Sequence, residues 1–134
     1  MNDKVNGSCL CGAVGFAIGL PSLWCAHCHC SMCQRAHGSA FVTWVGVPIA
    51  QFELHQGDHL HWYESSPGAE RGFCGQCGSS MFFRSARWPG EVHVTLSNLL
   101  AAIDREPQAH VFYETRVPWV HLADALPKKS ATGS

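Results

Sequence analysis

Eight cysteines in three short clusters constrain this chain more than any other feature. Cys9 and Cys11 form a C-x-C pair, and Cys74 and Cys77 a C-x-x-C pair. Between them Cys25, Cys28, Cys30 and Cys33 crowd a middle cluster that also holds His27 and His29. Thiolates this close in sequence can converge on one soft metal ion, and zinc held tetrahedrally by four sulfurs is the usual result. Two pairs plus the denser middle cluster give enough ligands for two zinc ions.

Disulfides are the competing use, and eight cysteines would allow 105 connectivities. The opening residues contain no basic stretch followed by an apolar run, so neither a signal peptide nor an oxidising compartment is indicated. Disulfide-dense scaffolds are also shorter and poorer in apolar residues than this chain, 46% of which is hydrophobic. Metal binding is the expected role.

A chain of 134 residues is expected to form a single zinc-binding domain over 1–134, with its core at about 7–126 and a disordered tail at 128–134. The net charge is -1, and no basic run is longer than Lys128-Lys129. Phosphate binding needs a concentrated basic face, so nucleic acid is not an expected partner. No apolar stretch approaches the roughly 18 residues of a membrane helix. A cytoplasmic protein is the default expectation, and the sequence leaves oligomeric state open.

Strand signals dominate. Val14, Phe16 and Ile18 alternate between Ala13 and Leu20, and Ala40 to Val47 is rich in β-branched and aromatic residues. Phe52 and Leu54, Leu60 and Trp62, Met81 to Phe83, Val92 to Leu96 and Ala109 to Tyr113 continue the pattern. Period-2 runs bounded by Gly, Pro, Ser and Asp read as strands, and many short strands indicate an all-β, sandwich-like domain. One or two helical turns are expected around Ser31 to Ala36, with Gly38 able to end them, and an irregular turn at Leu99 to Asp104.

Placing Cys9, Cys11, Cys74 and Cys77 on one zinc would tie the first strand to a late hairpin. A closed four-thiolate site has no vacant position and is structural. Cys28, Cys30 and Cys33 then remain, and three thiolates with one open position is the layout of a reactive zinc site. Cys25, His27, His29 or His37 could instead close it, which would leave a binding module. In an extended stretch Cys28 and Cys30 share a face and His29 faces away, as a supporting or surface group.

The cysteine order resembles the glutathione-dependent formaldehyde-activating family, which also includes centromere protein V-like proteins. The resemblance is carried by Gly7 to Val14, by Cys28 to Gly38 and by Phe73 to Ser79, with a weaker echo at Ile103-Asp104, Pro107 to His110 and Trp119. It covers about residues 7–126. It implies a Mss4-like fold of several curled antiparallel sheets with zinc-binding turns. It also implies a structural zinc on Cys9, Cys11, Cys74 and Cys77, and a catalytic-type zinc on Cys28, Cys30 and Cys33. The implied activity is that of a carbon–sulfur lyase or synthase joining glutathione to formaldehyde as S-hydroxymethylglutathione. The chain departs from the family pattern in carrying Cys25, and in having Val94 to Asn98 where a glycine-containing turn is common.

A thiol adds to an aldehyde as the thiolate, and an ordinary thiol has a pKa near 8.5. Three thiolates blunt the Lewis acidity of zinc, which favours zinc as holder and activator of a sulfur substrate. Glutathione carries two carboxylates, so cations are expected nearby, with Arg35 best placed by sequence and Arg71 and Arg84 flanking the last cysteine pair. Trp44, Trp62, Trp88 and Trp119 are expected to serve packing, and His110 to be a buried, hydrogen-bonded histidine. The alternatives to an enzyme are a non-catalytic zinc scaffold for a protein partner and a carrier of the thiol adduct.

Overall fold

The structure is a computed structural model and describes residues 3–131. It contains β1 (Lys4–Ser8), β2 (Gly15–Gly19), β3 (Trp24–Cys28), α1 (Ser31–His37), β4 (Val42–Pro48), β5 (Phe52–Gln56) and β6 (Leu60–Ser66). β7 (Ala69–Cys74), β8 (Ser80–Ser85), β9 (Glu91–Thr95) and β10 (His110–Val111) complete the regular elements used below. A small sheet runs in the order β1-β2-β5, and a large one in the order β10-β3-β4-β9-β8-β7-β6. No helix among the described residues is long and apolar enough to cross a membrane.

The expected all-β fold of curled sheets is what the chain forms, with one departure: β10 pairs parallel to β3, whereas the other strand pairs are antiparallel. Three strands carried no clear signal. β3 and β7 contain no β-branched residue and β1 contains only Val5. Pairing supplies what propensity does not, since β3 aligns with β4 over five residues and β7 is held between β6 and β8. The helix forms where expected and ends at Gly38, whose φ of 62 lets its backbone N–H donate a hydrogen bond to the Gln34 carbonyl.

Alternation gives the large sheet two different faces. Inward, Val45 and Val47 of β4, Val92 and Val94 of β9 and Phe82 of β8 pack against Phe16 and Ile18 of β2. The Phe16 and Phe82 rings meet edge to face at 4.8 Å. Burial of each such side chain stabilises the fold by roughly 1.5–3 kcal/mol. Outward, the intervening positions present Trp24, Cys28, Trp44 and Phe83 in a second apolar cluster. The β-rich pattern thus builds a conventional core on one face and leaves the other for chemistry.

The tail expected to be disordered from 128 is instead paired as far as the structure describes it. The His110 amide donates to the Pro127 carbonyl and the Lys129 amide to the His110 carbonyl, so the segment lies along β10. The Ala131 amide donates to the Glu114 carboxylate. Residues 132–134, the rest of that expectation, lie outside the described residues.

Candidate metal centres

The sulfurs of Cys9, Cys11, Cys74 and Cys77 all lie within 4.8 Å of one another. Cys9 and Cys11 follow β1, Cys74 ends β7, and Cys77 sits in the turn before β8. Cys11 Sγ is 3.7 Å from Cys9 Sγ and 3.8 Å from Cys74 Sγ, and all eight cysteines are free thiols. Gly12 and Gly78 adopt φ values of 85 and 82 just after Cys11 and Cys77, which lets both turns curl back on the cluster. The Val14 amide then donates to Cys9 Sγ at 3.2 Å, and the Gln76 and Cys77 amides donate to Cys74 Sγ at 3.4 Å. The Cys77 thiol is lowered to about 5, chiefly by the Ser79 hydroxyl 3.2 Å away. Four soft donors, amide-supported and sharing no disulfide, could hold a metal ion.

The middle cluster forms where β3 hands over to α1. Cys28 ends the strand, Cys30 is the residue before the helix, and Cys33 lies in its first turn, with Cys28 Sγ and Cys33 Sγ 3.7 Å apart. Hydrogen bonds from Cys28 and Cys33, joined by the Cys33 and Met32 amides, hold Cys30 far below the ordinary thiol range. The same sharing pushes Cys28 far up. The three thiols thus act on one another, with Cys30 favoured as the group that gives up its proton.

Arg71 reaches these thiols from β7. It is buried, its Nη1 and Nη2 both lie 3.6 Å from Cys33 Sγ, and its guanidinium stacks over Phe83 at 4.9 Å. No carboxylate pairs with it among the described residues. A buried guanidinium without a counter-charge would cost several kcal/mol, and the Cys33 sulfur is the acceptor it meets. Thiols are soft donors of the kind zinc takes.

The triad opens on a cavity of about 370 Å³ on the outer face of the large sheet. Trp24, Trp44, Phe83 and Trp88 wall it, and Arg71 sits beside the sulfurs. Cys25 borders the cavity between Trp24 and Ala26, but its side chain belongs to the inner core with Val45 and Val47 and is fully buried. Burial raises its thiol to about 11. Cys25 and Cys28 thus point to opposite faces of β3.

The histidines are occupied elsewhere. His27 Nδ1 is 2.8 Å from Thr43 Oγ1, and His37 packs edge-on against Trp44. His29 faces away from the sulfurs, as extended backbone requires, but is buried rather than on the surface. Its Nε2 is 2.8 Å from His110 Nδ1, and His110 Nε2 in turn is 2.9 Å from the Asp124 carboxylate. His110 is buried and hydrogen-bonded, as expected. Arg35, expected to meet a substrate carboxylate, is exposed on α1 and does not line the cavity; Arg71 and Lys129 are the cations that do. Arg84 points away, over Trp62 and to Glu70. Of the tryptophans expected to serve packing, Trp62 packs against the core and Trp44 is buried in the outer-face cluster, while Trp119 is exposed; Trp44 and Trp88 also line the cavity with Trp24. For Trp24 and Trp44 the alternation of β3 and β4 could have indicated this, but β3 gave no strand signal, and Trp88 lies in the loop between β8 and β9.

Fold and site together define a small all-β protein with a four-cysteine cluster that could hold a metal ion and a thiol triad at a cavity. The profile of the family described as "Glutathione-dependent formaldehyde-activating enzyme" matches residues 4–115, and the chain belongs to that family. A Halomonas elongata protein named "Putative glutathione-dependent formaldehyde-activating enzyme" is 31% identical over 127 residues, spanning 88% of this chain and 80% of its own. An "Uncharacterized lyase" of Schizosaccharomyces pombe is 33% identical over 88 residues, 60% of this chain and 57% of its own. A crystal structure of a Rhodobacter sphaeroides protein has a TM-score of 0.63 at 24% identity, over 74% of this chain and 91% of that one, a likeness of fold alone.

Proposed function

We propose that this chain is a zinc-dependent carbon–sulfur lyase acting, in either direction, on a thiol–aldehyde adduct, of which S-hydroxymethylglutathione is the example the family name supplies. Cys9, Cys11, Cys74 and Cys77 hold a structural zinc, and Cys28, Cys30 and Cys33 a catalytic-type one, two per chain when fully loaded. The observation that carries this reading is that the three thiols face a cavity while Cys25, the cysteine that could have closed the site, points to the other side of β3.

A zinc ion on the triad would supply a soft Lewis acid with room for a substrate sulfur. The chain's own residues do the rest. The Arg71 guanidinium offsets the negative charge of the triad and keeps Cys33 in place. The aromatic walls exclude water from a sulfur that reacts as its thiolate. In the adding direction the S–C bond forms at the carbonyl carbon, and the thiol proton ends on the new hydroxyl oxygen. The lyase direction reverses both, breaking C–S and restoring C=O.

Formaldehyde and glutathione also combine unaided, so the test is rate above background. The parent protein is expected to accelerate adduct formation and cleavage, and Cys30→Ser to lose that acceleration while keeping its fold through the other cluster. A parent protein that binds the adduct without changing either rate would make it a carrier and overturn the enzymatic reading.

A further inference from the structure

We infer that the thiol taken by the triad cavity has a flat, apolar body, best an aromatic one, rather than the charged peptide body of glutathione. This rests on the reading of the triad as an open thiol site. The first observation is the wall. Trp24 Nε1 donates to Glu91 Oε1 at 3.1 Å, and His93 Nε2 lies 3.0 Å from the same oxygen. The polar edges of both rings are therefore engaged outside the cavity. The Trp24 and His93 rings hold each other edge to face at 4.6 Å, and Trp88 meets His93 at 5.5 Å. Together with Trp44 and Phe83 they give the cavity that holds the sulfurs an aromatic wall.

The second observation is charge. No carboxylate lines the cavity among the described residues, and its cations are the buried Arg71, already at Cys33, and the exposed Lys129. Glutathione would bring two carboxylates and an ammonium. Enclosing the ammonium without an acidic partner is costly, and one exposed lysine is a weak match for two carboxylates. An aryl or arylmethyl thiol needs none of these, and its ring matches the aromatic lining. Its sulfur would lie at the triad and its ring against the aromatic wall, with any single anionic substituent directed toward Lys129.

Calorimetric titration of the metal-loaded protein with phenylmethanethiol, glutathione and 2-mercaptoethanol tests this. Phenylmethanethiol is expected to bind at least about tenfold more tightly than either of the others. Trp88→Ala should remove most of that preference while leaving 2-mercaptoethanol within about twofold, and Trp88→Phe should restore it. Glutathione binding as tightly as phenylmethanethiol would overturn the inference and leave the proposed function standing. A Trp88→Ala protein that weakens all three thiols equally would also overturn it. If none of the three binds, the open site itself fails and both readings fall.

Discussion

Both Nη atoms of Arg71 lie 3.6 Å from the sulfur of Cys33, across the outer face of the large sheet. This contact joins β7 to α1 and places a fixed positive charge beside three clustered thiols. Removing the charge but keeping the bulk, as Arg71→Met, leaves the triad unbalanced. Breaking a buried pair from one side costs about 3–5 kcal/mol. Arg71→Met should lose stability of that order in urea denaturation and lose zinc from the triad, and Arg71→Lys should recover part of both. Unchanged stability and zinc content would show that Arg71 does not balance the triad.

The four-cysteine cluster joins β1 to the β7–β8 turn, elements more than sixty residues apart in sequence. Structural zinc contributes about 10–16 kcal/mol in small peptides, comparable to the whole stability of a domain at about 5–15 kcal/mol. Cys74→Ser is therefore expected to lower the melting temperature by on the order of 10 °C or more. A scanning calorimetry trace within a degree or two of the parent would remove the structural role.

Trp24 lies over Gly46, its partner across β3 and β4. A methyl group at Gly46 would come 2.4 Å from the indole, too close for either to stay. Gly46→Ala should push Trp24 out of the cavity wall, cost about 1–3 kcal/mol, and weaken thiol binding while zinc content stays unchanged. Zinc analysis and calorimetry on the same sample separate the two effects. Unaltered thiol binding would mean that Trp24 does not shape the site.

Asp124 gives a pH dependence. The hydrogen bond from His110 lowers its carboxyl pKa below the usual value, with the Leu126 amide adding to the effect. The folded state thus binds this proton less readily than the unfolded chain. The stabilisation is present above about pH 4, the ordinary aspartate pKa, and is lost as pH falls through the folded value. The difference in urea midpoint between the parent and Asp124→Asn should be steady from about pH 8 to 5 and close below about pH 4. A difference that persists at lower pH would contradict the assignment.

Much of this was legible in the sequence because thiol spacing and period-2 alternation are local signals. The pairing of Cys9 and Cys11 with Cys74 and Cys77 follows from both being two-cysteine turns, and the structure brings them together. The alternation of Val45, Val47, Val92 and Val94 marks the inner face correctly. What was not legible depends on long-range pairing. β3 has no β-branched residue, so its strand, and with it the opposite orientations of Cys25 and Cys28, appear only once β4 lies beside it. Arg71 flanks the last cysteine pair in sequence yet serves the middle one, because β7 crosses the outer face toward α1. Arg35 is nearer in sequence but is carried outward by the helix.

The central claim is that Cys28, Cys30 and Cys33 form an open site without help from Cys25. Zinc retained per chain, measured on Cys25→Ser beside Cys30→Ser after the same mild chelator wash, tests it most directly. With an open site, Cys25→Ser is expected to keep the parent's zinc and Cys30→Ser to lose the zinc of the triad. If Cys25→Ser sheds zinc as readily as Cys30→Ser, then Cys25 is a ligand, the site is closed, and the protein is a zinc scaffold.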